Sequence, residues 1–453
     1  MNLFIQISKY IFILLMLLYA LKAYTCIGQK NARKRNRKLA SQTRIMYIFV
    51  TLGFVIIFMN QKKPQLLLLM AGIWIYFSVT QKLYKKLYPK SSMLLVNNML
   101  MLLSVGFVMI SRINLSEGVK QFIIAAGSTV IALVVPVIIR RLKVLAKLKI
   151  LYAILGLIAL GVVLMLATRS GGATLSITVG GITIQFSELV KITFVFYLAS
   201  RLARDASFKS IVIASVVAAL HVGILVLSTD LGTALVFFVT YVVLIYVASR
   251  RWQYPVVGIG AGCAASVVAY HLFAHVRQRV TAWKDPFKVY DTSGYQIAQG
   301  LFAIAAGGWF GVGLCQGQPN SIPVATKDFM FAAICEEFGG VFCIAMLLVC
   351  MCLFILIVNI SMLIHNRFYK LVALGLGTEY AFQVFLTVGG VTKFIPMTGI
   401  TLPLVSYGGS SVASTIIMLA IIQGLYILRE DEGEELLEIQ RKRSRGYAAG
   451  NRQ

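Results

Sequence analysis

RQRVTAWKDPFKVYDTSGYQIAQG, residues 277–300, carries six charged side chains inside a chain that is otherwise strongly apolar. The stretch belongs to an excursion of about fifty residues between Phe273 and Lys327, long enough in a compact protein to be either functional or disordered. Trp283, Phe287, Tyr290, Tyr295, Phe302, Trp309 and Phe310 make it far too aromatic for a solvated linker. It is expected to fold back on a membrane surface, partly as interfacial helices.

On both sides of this stretch the apolar runs match bilayer thickness. They lie near residues 3–22, 45–59, 65–80, 93–111, 121–139, 151–168, 189–203, 211–227, 231–248, 256–273, 330–358, 371–390 and 412–428, about thirteen helices. With 59% hydrophobic residues and a mean hydropathy of +0.83, the 453-residue chain exceeds what a soluble core absorbs. The expected fold is an all-α polytopic membrane protein. The first apolar segment lacks a basic leader and reads as a retained helix.

The net charge of +27 is topological. Lys and Arg cluster between spans at 30–44, 82–90, 140–149, 250–251 and 441–445, all on one side if the spans alternate. That is the positive-inside pattern, which sets the N-terminus outside and the C-terminus in the cytoplasm and argues against nucleic acid as a partner. Loops 112–120, 169–187, 275–327 and 391–410 then face outward, and functional chemistry is to be sought there. The tail splits into an acidic block, 430–438, and a basic block, 441–445, which read as a solvated helix with a frayed end.

Seven cysteines and four histidines are scattered without metal-ligand spacing and read as core or interfacial residues. Residues 1–90 form an added module of about three helices, residues 91–428 the membrane core and 429–453 a tail. The module reads as an anchoring or partner-docking unit.

Charges at membrane depth are expensive and hence candidates for function. Glu188 and Lys191 share one helical face at the outer start of a span, as a structural pair or a substrate site. Asp230 is placed to cap the following helix. Asp328 begins another, with Glu336 and Glu337 two turns deeper and in need of cationic partners from the loop. Arg277, Arg279, Lys284, Lys288 and Lys327 could hold a diphosphate, and Asp285 or Asp291 could act as a base. Gly307, Gly308, Gly311 and Gly313 allow close backbone approach but lack the Gly-Lys-Ser/Thr ending of a nucleotide loop. The Pro396–Ser411 segment, interrupted by Pro and Gly, reads as broken backbone lining a cavity or buried in protein.

These pieces, in order, resemble the SEDS proteins (shape, elongation, division and sporulation), the FtsW, RodA and SpoVE group of cell-wall polymerases. The match rests on QFSELVK (185–191), TDLGTA (229–234), Arg279-Val with Trp283 and Pro286, GYQIAQ (294–299), KDFMFA (327–332) with Glu336-Glu337, and LPLVSYGGSS (402–411). The resemblance implies a core of about ten helices, preceded here by about three more. It also implies a peptidoglycan glycosyltransferase that polymerises lipid II beside a class B penicillin-binding protein. The family's essential acid lies six residues before the Tyr of Gly-Tyr-Gln, where this chain has Val289. Asp291, four residues before Tyr295, is the nearest acid, and Asp285 is the reserve. Ser176, Thr387 and Val324 stand where many relatives have Trp, Asn and Glu.

On this reading Asp291 takes the proton of the attacking sugar hydroxyl. Arg277, Arg279 and Lys191 serve as diphosphate or structural cations, while Glu188, Gln296, Gln299 and Asp328 orient substrate or loop. A divalent cation, magnesium or manganese, is the one candidate cofactor. A lipid-linked precursor flippase or transporter, or a non-catalytic cell-wall scaffold, would use the same buried charges.

Overall fold

The computed structural model describes residues 2–166, 177–179 and 182–450. The expected outer loop at 169–187 is therefore described only in part, and Ser176 lies outside the described residues. Three helices come first: α1 (Asn2–Cys26), α2 (Ala32–Gln61) and α3 (Gln65–Leu87). Next are α4 (Met93–Ile113), α5 (Leu115–Ala132) and its short continuation α6 (Val135–Arg141), then α7 (Lys149–Leu166). A two-stranded antiparallel ribbon, β1 (Ile177–Val179) and β2 (Ile182–Ile184), sets Ile177 opposite Ile184. The chain continues through α8 (Phe186–Arg204), α9 (Phe208–Leu227), α10 (Leu231–Ser249) and α11 (Gln253–Leu272). Two polar-loop helices, α12 (Ala274–Lys284) and α13 (Tyr295–Gly307), precede α14 (Met330–Leu363), α15 (Arg367–Val391) and α16 (Gly409–Gly450).

Each of the thirteen expected runs coincides with helix over most of its length, with 167–168 outside the described residues. Among the described residues eleven helical segments are long and apolar enough to cross a membrane, α5 and α6 counting as one. The other two are α7, which is short, and α8, which carries Glu188, Lys191, Arg201 and Arg204. α4 is the central helix, 94% buried along its most apolar window, whereas the same measure is 0% for the peripheral α11. Around α4 pack α2, α5 and α14, and α14 in turn carries α1, α13 and α15. α8 lies between α7, α10 and α15. Fully buried aromatics such as Phe107, Phe194, Phe237 and Phe338 fill the bundle.

α14 is not continuous. Gly339, at φ +85° and ψ 168°, breaks it, and the chain from 308 to 313 closes the break with backbone hydrogen bonds. Val312 and Gly313 donate to the carbonyls of Glu336 and Glu337, while Gly340 and Val341 donate to those of Gly308 and Trp309. Polar backbone freed at membrane depth is thus satisfied by protein. The approach is so close that a Cβ at Gly311 would lie 2.3 Å from the Glu337 carbonyl oxygen. Residues 392–408 are also non-helical, as the Pro/Gly pattern there predicts.

At the opposite end of the bundle the start of the acidic tail is not merely solvated. Asp431 pairs with Lys90 and with Arg140, each at 2.7 Å, and Glu434 with Lys90 at 2.6 Å. These contacts correct the expectation of a solvated helix: two of the basic connectors supply its counter-charges.

Candidate functional site

The first turn of α8 presents Glu188 and Lys191 on one face, three residues apart, so their side chains meet. Glu188 Oε2 and Lys191 Nζ are 2.7 Å apart and both residues are buried. Lys191 also donates to Gln383 Oε1 of α15 at 2.7 Å, and Ser414 of α16 donates to Glu188 Oε2 at 3.0 Å. Gln383 Nε2 reaches the Thr401 carbonyl at 3.1 Å, which ties the cluster to the broken 392–408 segment. Glu379, one turn before Gln383, lines the same small cavity, and its Oε1 is buried without a hydrogen bond. Three helices therefore enclose two carboxylates around one ammonium, a layout that repays desolvation only if the pairing is kept intact.

Asp230 is the cap that its position predicts. Its Oδ1 accepts from the Thr233 amide at 3.2 Å, and its Oδ2 from the Ser187 hydroxyl at 3.0 Å. Gln185, just ahead of α8, donates to the same carboxylate at 3.4 Å, and its amide donates to Ser410 Oγ at 2.9 Å. The starts of α8, α10 and α16 are thereby drawn to one point. Thr387 Oγ1 joins α15 to the Ile400 carbonyl at 3.1 Å.

Above this layer lies the loop. Arg279 of α12 donates to the carbonyls of Met397 and Thr398, at 3.2 and 2.9 Å. A Cβ on Gly399 would stand 3.8 Å from both Arg279 Nη2 and Asp328 Oδ2, so the two charges flank that glycine. Burial pushes the Asp328 carboxyl above its ordinary range, and its own backbone amide, Lys327 and Arg279 offset only part of the rise. Trp283 Nε1 pins α12 to the Lys393 carbonyl at 3.1 Å. Arg277 is exposed and, two residues from Arg279 on the helix, faces elsewhere.

The two loop acids differ. Asp285 Oδ1 accepts from the Lys288 amide at 3.3 Å, and its Oδ2 is 3.4 Å from Lys288 Nζ. Burial works to raise the Asp285 carboxyl, but the bonds from Lys288 together hold it below the usual range. Asp291 is exposed, with no hydrogen bond or ion pair to its side chain among the described residues. Gln296 donates to the Pro323 carbonyl at 3.1 Å and Gln299 to the Tyr290 hydroxyl at 2.8 Å, so both brace the loop around Asp291.

Glu336 and Glu337 find partners other than the large loop's cations. Glu337 pairs with Arg112, from the end of α4, at 3.2 Å, and Glu336 Oε1 accepts the Gln318 amide at 2.8 Å. The expectation of loop Arg or Lys partners is corrected: packing of α4 on α14 supplies the cation. Among the described residues no group of three or more His, Cys, Asp or Glu could hold a metal ion.

The structure thus brings Glu188 with Lys191, and Arg279 with Asp328, while Asp291 and Arg277 stand exposed. Sequence reading missed Glu379, Gln383 and Ser414. A carboxylate inside the apolar run 371–390 was the signal that could have found the first.

A helical bundle with charges buried beneath a folded polar loop defines a multi-pass membrane protein with a site at one bundle end. The profile of the FtsW/RodA/SpoVE family, described as cell cycle proteins, matches residues 85–430, and the chain belongs to this family. It is a multi-pass protein of the cytoplasmic membrane. The peptidoglycan glycosyltransferase RodA of Mycobacterium tuberculosis is 35% identical over 368 residues, 75% of this chain and 78% of the relative. RodA of Mycobacterium leprae is 32% identical over 375 residues, 77% and 80% of the two chains. Among solved structures, a peptidoglycan synthase complex that coordinates polymerization and crosslinking contains a similar chain at TM-score 0.64 and 25% identity. That likeness covers 75% of this chain and 98% of the other. The crystal structure of Thermus thermophilus RodA gives TM-score 0.57 at 23% identity, covering 74% and 96%, and shares the fold.

Proposed function

We infer that the chain is a peptidoglycan glycosyltransferase, and that it polymerises lipid II into glycan strands on the outer face of the membrane. The observation that carries this reading is the seating of Arg279 on the Met397 and Thr398 carbonyls beside Asp328, under a loop whose Asp291 carboxylate is free. Cations, a half-buried acid and an available base thereby occupy one bundle end.

In this reaction Asp291 accepts the proton of the acceptor sugar's 4-hydroxyl as that oxygen bonds to the donor's anomeric carbon. The bond from that carbon to the lipid diphosphate breaks, and the diphosphate leaves with the electron pair. Attack from the face opposite the leaving group inverts the centre. Arg279 and Lys191 meet the anionic charge that develops on the leaving group. A single base suffices, so no second carboxylate is required as in glycoside hydrolysis. A divalent cation, if bound, would shield the same diphosphate, its coordination completed mainly by substrate oxygens and water. The partner is a class B penicillin-binding protein, which crosslinks the strands.

The test is glycan-chain formation from lipid II by purified protein with its penicillin-binding partner, comparing wild type, Asp291→Asn and Asp285→Asn. Polymer from wild type and Asp285→Asn but none from folded Asp291→Asn is expected. Wild-type protein that binds its partner yet makes no polymer would sink the assignment.

A further inference from the structure

The family match begins at residue 85, so α1, α2 and all but the last three residues of α3 lie outside it. α1 and α2 are nonetheless built into the break of α14. Lys9 Nζ donates to the Gly311 carbonyl at 3.2 Å, from the second turn of α1, and no acid pairs with it among the described residues. The Tyr10 ring lies 5.8 Å from that of Phe310. Phe12 meets Phe338 edge-on at 5.0 Å, and Phe49 of α2 stacks on Phe342 at 6.0 Å, so α1 and α2 pack on the stacked Phe338–Phe342 pair that flanks Gly339 in sequence.

A charge near membrane depth is costly unless it is committed to an acceptor. The ammonium of Lys9 is committed to a non-helical stretch of backbone that closes the break in α14.

We infer that α1 and α2 are a stator for the broken part of α14, and that Lys9 is a positioning residue which sets the place of the chain from 308 to 328. That chain runs from the break to Asp328. It is tied down next at Gly317, whose carbonyl accepts from Arg112 at 3.2 Å, and then at Thr326, whose carbonyl accepts the Tyr407 amide at 2.7 Å. The Val312 and Gly313 amides on the Glu336 and Glu337 carbonyls, the Gln318 amide on Glu336 and the Pro323 carbonyl under Gln296 hold the same chain, so release at Gly311 loosens the segment that leads to Asp328 without detaching it. The stator rests on geometry alone, whereas its effect on turnover rests on the proposed glycosyl transfer.

Cys315 reports on this chain directly. It is half-buried between the first two attachments, and its thiol is pushed up to about 12 by burial and by Glu337, against the pull of Arg112. In a Cys263→Ser background, which removes the exposed cysteine, labelling by a membrane-impermeant maleimide measures how often the chain opens. Lys9→Met is expected to speed Cys315 labelling about fivefold, the equilibrium value of one hydrogen bond. Lys9→Met is also expected to lower kcat for lipid II polymerisation more than it raises KM, with Lys9→Arg restoring both.

Phe12→Leu, which loosens the aromatic contact without removing the helix, is expected to act in the same direction. Wild-type labelling rates in both Lys9→Met and Phe12→Leu would overturn the stator. Fast labelling with unchanged polymerisation would overturn its link to turnover. An inactive wild-type chain would defeat the proposed function while the labelling arm still decides the stator.

Discussion

Lys191 Nζ lies 2.7 Å from Glu188 Oε2 and an equal 2.7 Å from Gln383 Oε1, with all three residues buried. A cation so enclosed cannot be replaced by water. Lys191→Met strands Glu188 and is expected to cost about 3–5 kcal/mol, seen as a fall in the thermal unfolding midpoint in detergent. Lys191→Met with Glu188→Gln removes the pair but leaves Glu379, and should recover part of that loss, while polymerisation stays absent in each. Equal midpoints for the single and double variants would mean that a stranded Glu188 is not what destabilises Lys191→Met.

Asp285 and Asp291 separate by what already occupies them. Asp285→Asn weakens the turn that Lys288 makes, a loss of a few tenths of a unit in log activity, about the effect expected of an exposed pair. Asp291→Asn keeps the shape and removes the base, so polymer yield falls at least about a hundredfold, the lower range of general-base effects. A greater loss in Asp285→Asn would transfer the base to that residue.

Asp328 gives a pH dependence with a definite sign. Its folded pKa is raised by burial above the unfolded value, so the folded state binds the proton more tightly. Stability attributable to this group is therefore highest below the unfolded pKa of about 4, declines as pH climbs to the raised folded value, and is level above it. Asp328→Asn should remove that slope and leave neutral-pH stability equal or higher, yet reduce polymerisation because Arg279 loses its counterpart over Gly399. Unfolding midpoints between pH 4 and pH 8 for the two proteins check it; an unchanged slope would refute the buried carboxyl.

The thirteen helical runs, eleven of them long and apolar enough to cross a membrane, were legible because lipid-facing and core-facing residues are alike apolar, so run length alone marks them. The charge clusters marked the connectors in the same way. The break in α14 was not legible, since 330–358 reads as one apolar run and a helical glycine is ordinarily tolerated. Its trace was the coincidence of Gly307, Gly308, Gly311 and Gly313 with Gly339, residues whose meeting is decided by tertiary packing. Arg112 as the partner of Glu337, and Glu379 and Gln383 around Lys191, were hidden for the same reason. Each lies in a helix distant in sequence, and one chain holds no record of which helices touch.

That glycine meeting supplies the sharpest test of the fold. A Cβ on Gly311 would stand 2.3 Å from the Glu337 carbonyl oxygen, and one on Gly339 would stand 2.3 Å from the Gly311 nitrogen. Both residues have positive φ, +75° and +85°, where a side chain is strained even in open space. Backbone cannot yield as a flexible side chain does, so Gly311→Ala and Gly339→Ala should each cost more than about 2 kcal/mol, the range of overpacking added to backbone strain. Gly127→Ala and Gly223→Ala are the controls, since a Cβ there meets nothing within 4 Å in a helix and should be neutral or stabilising by up to about 1 kcal/mol. Thermal unfolding and expression yield of the four proteins decide the matter. Alanine tolerated at 311 and 339 would mean that α14 runs unbroken and that the chain from 308 to 313 lies elsewhere.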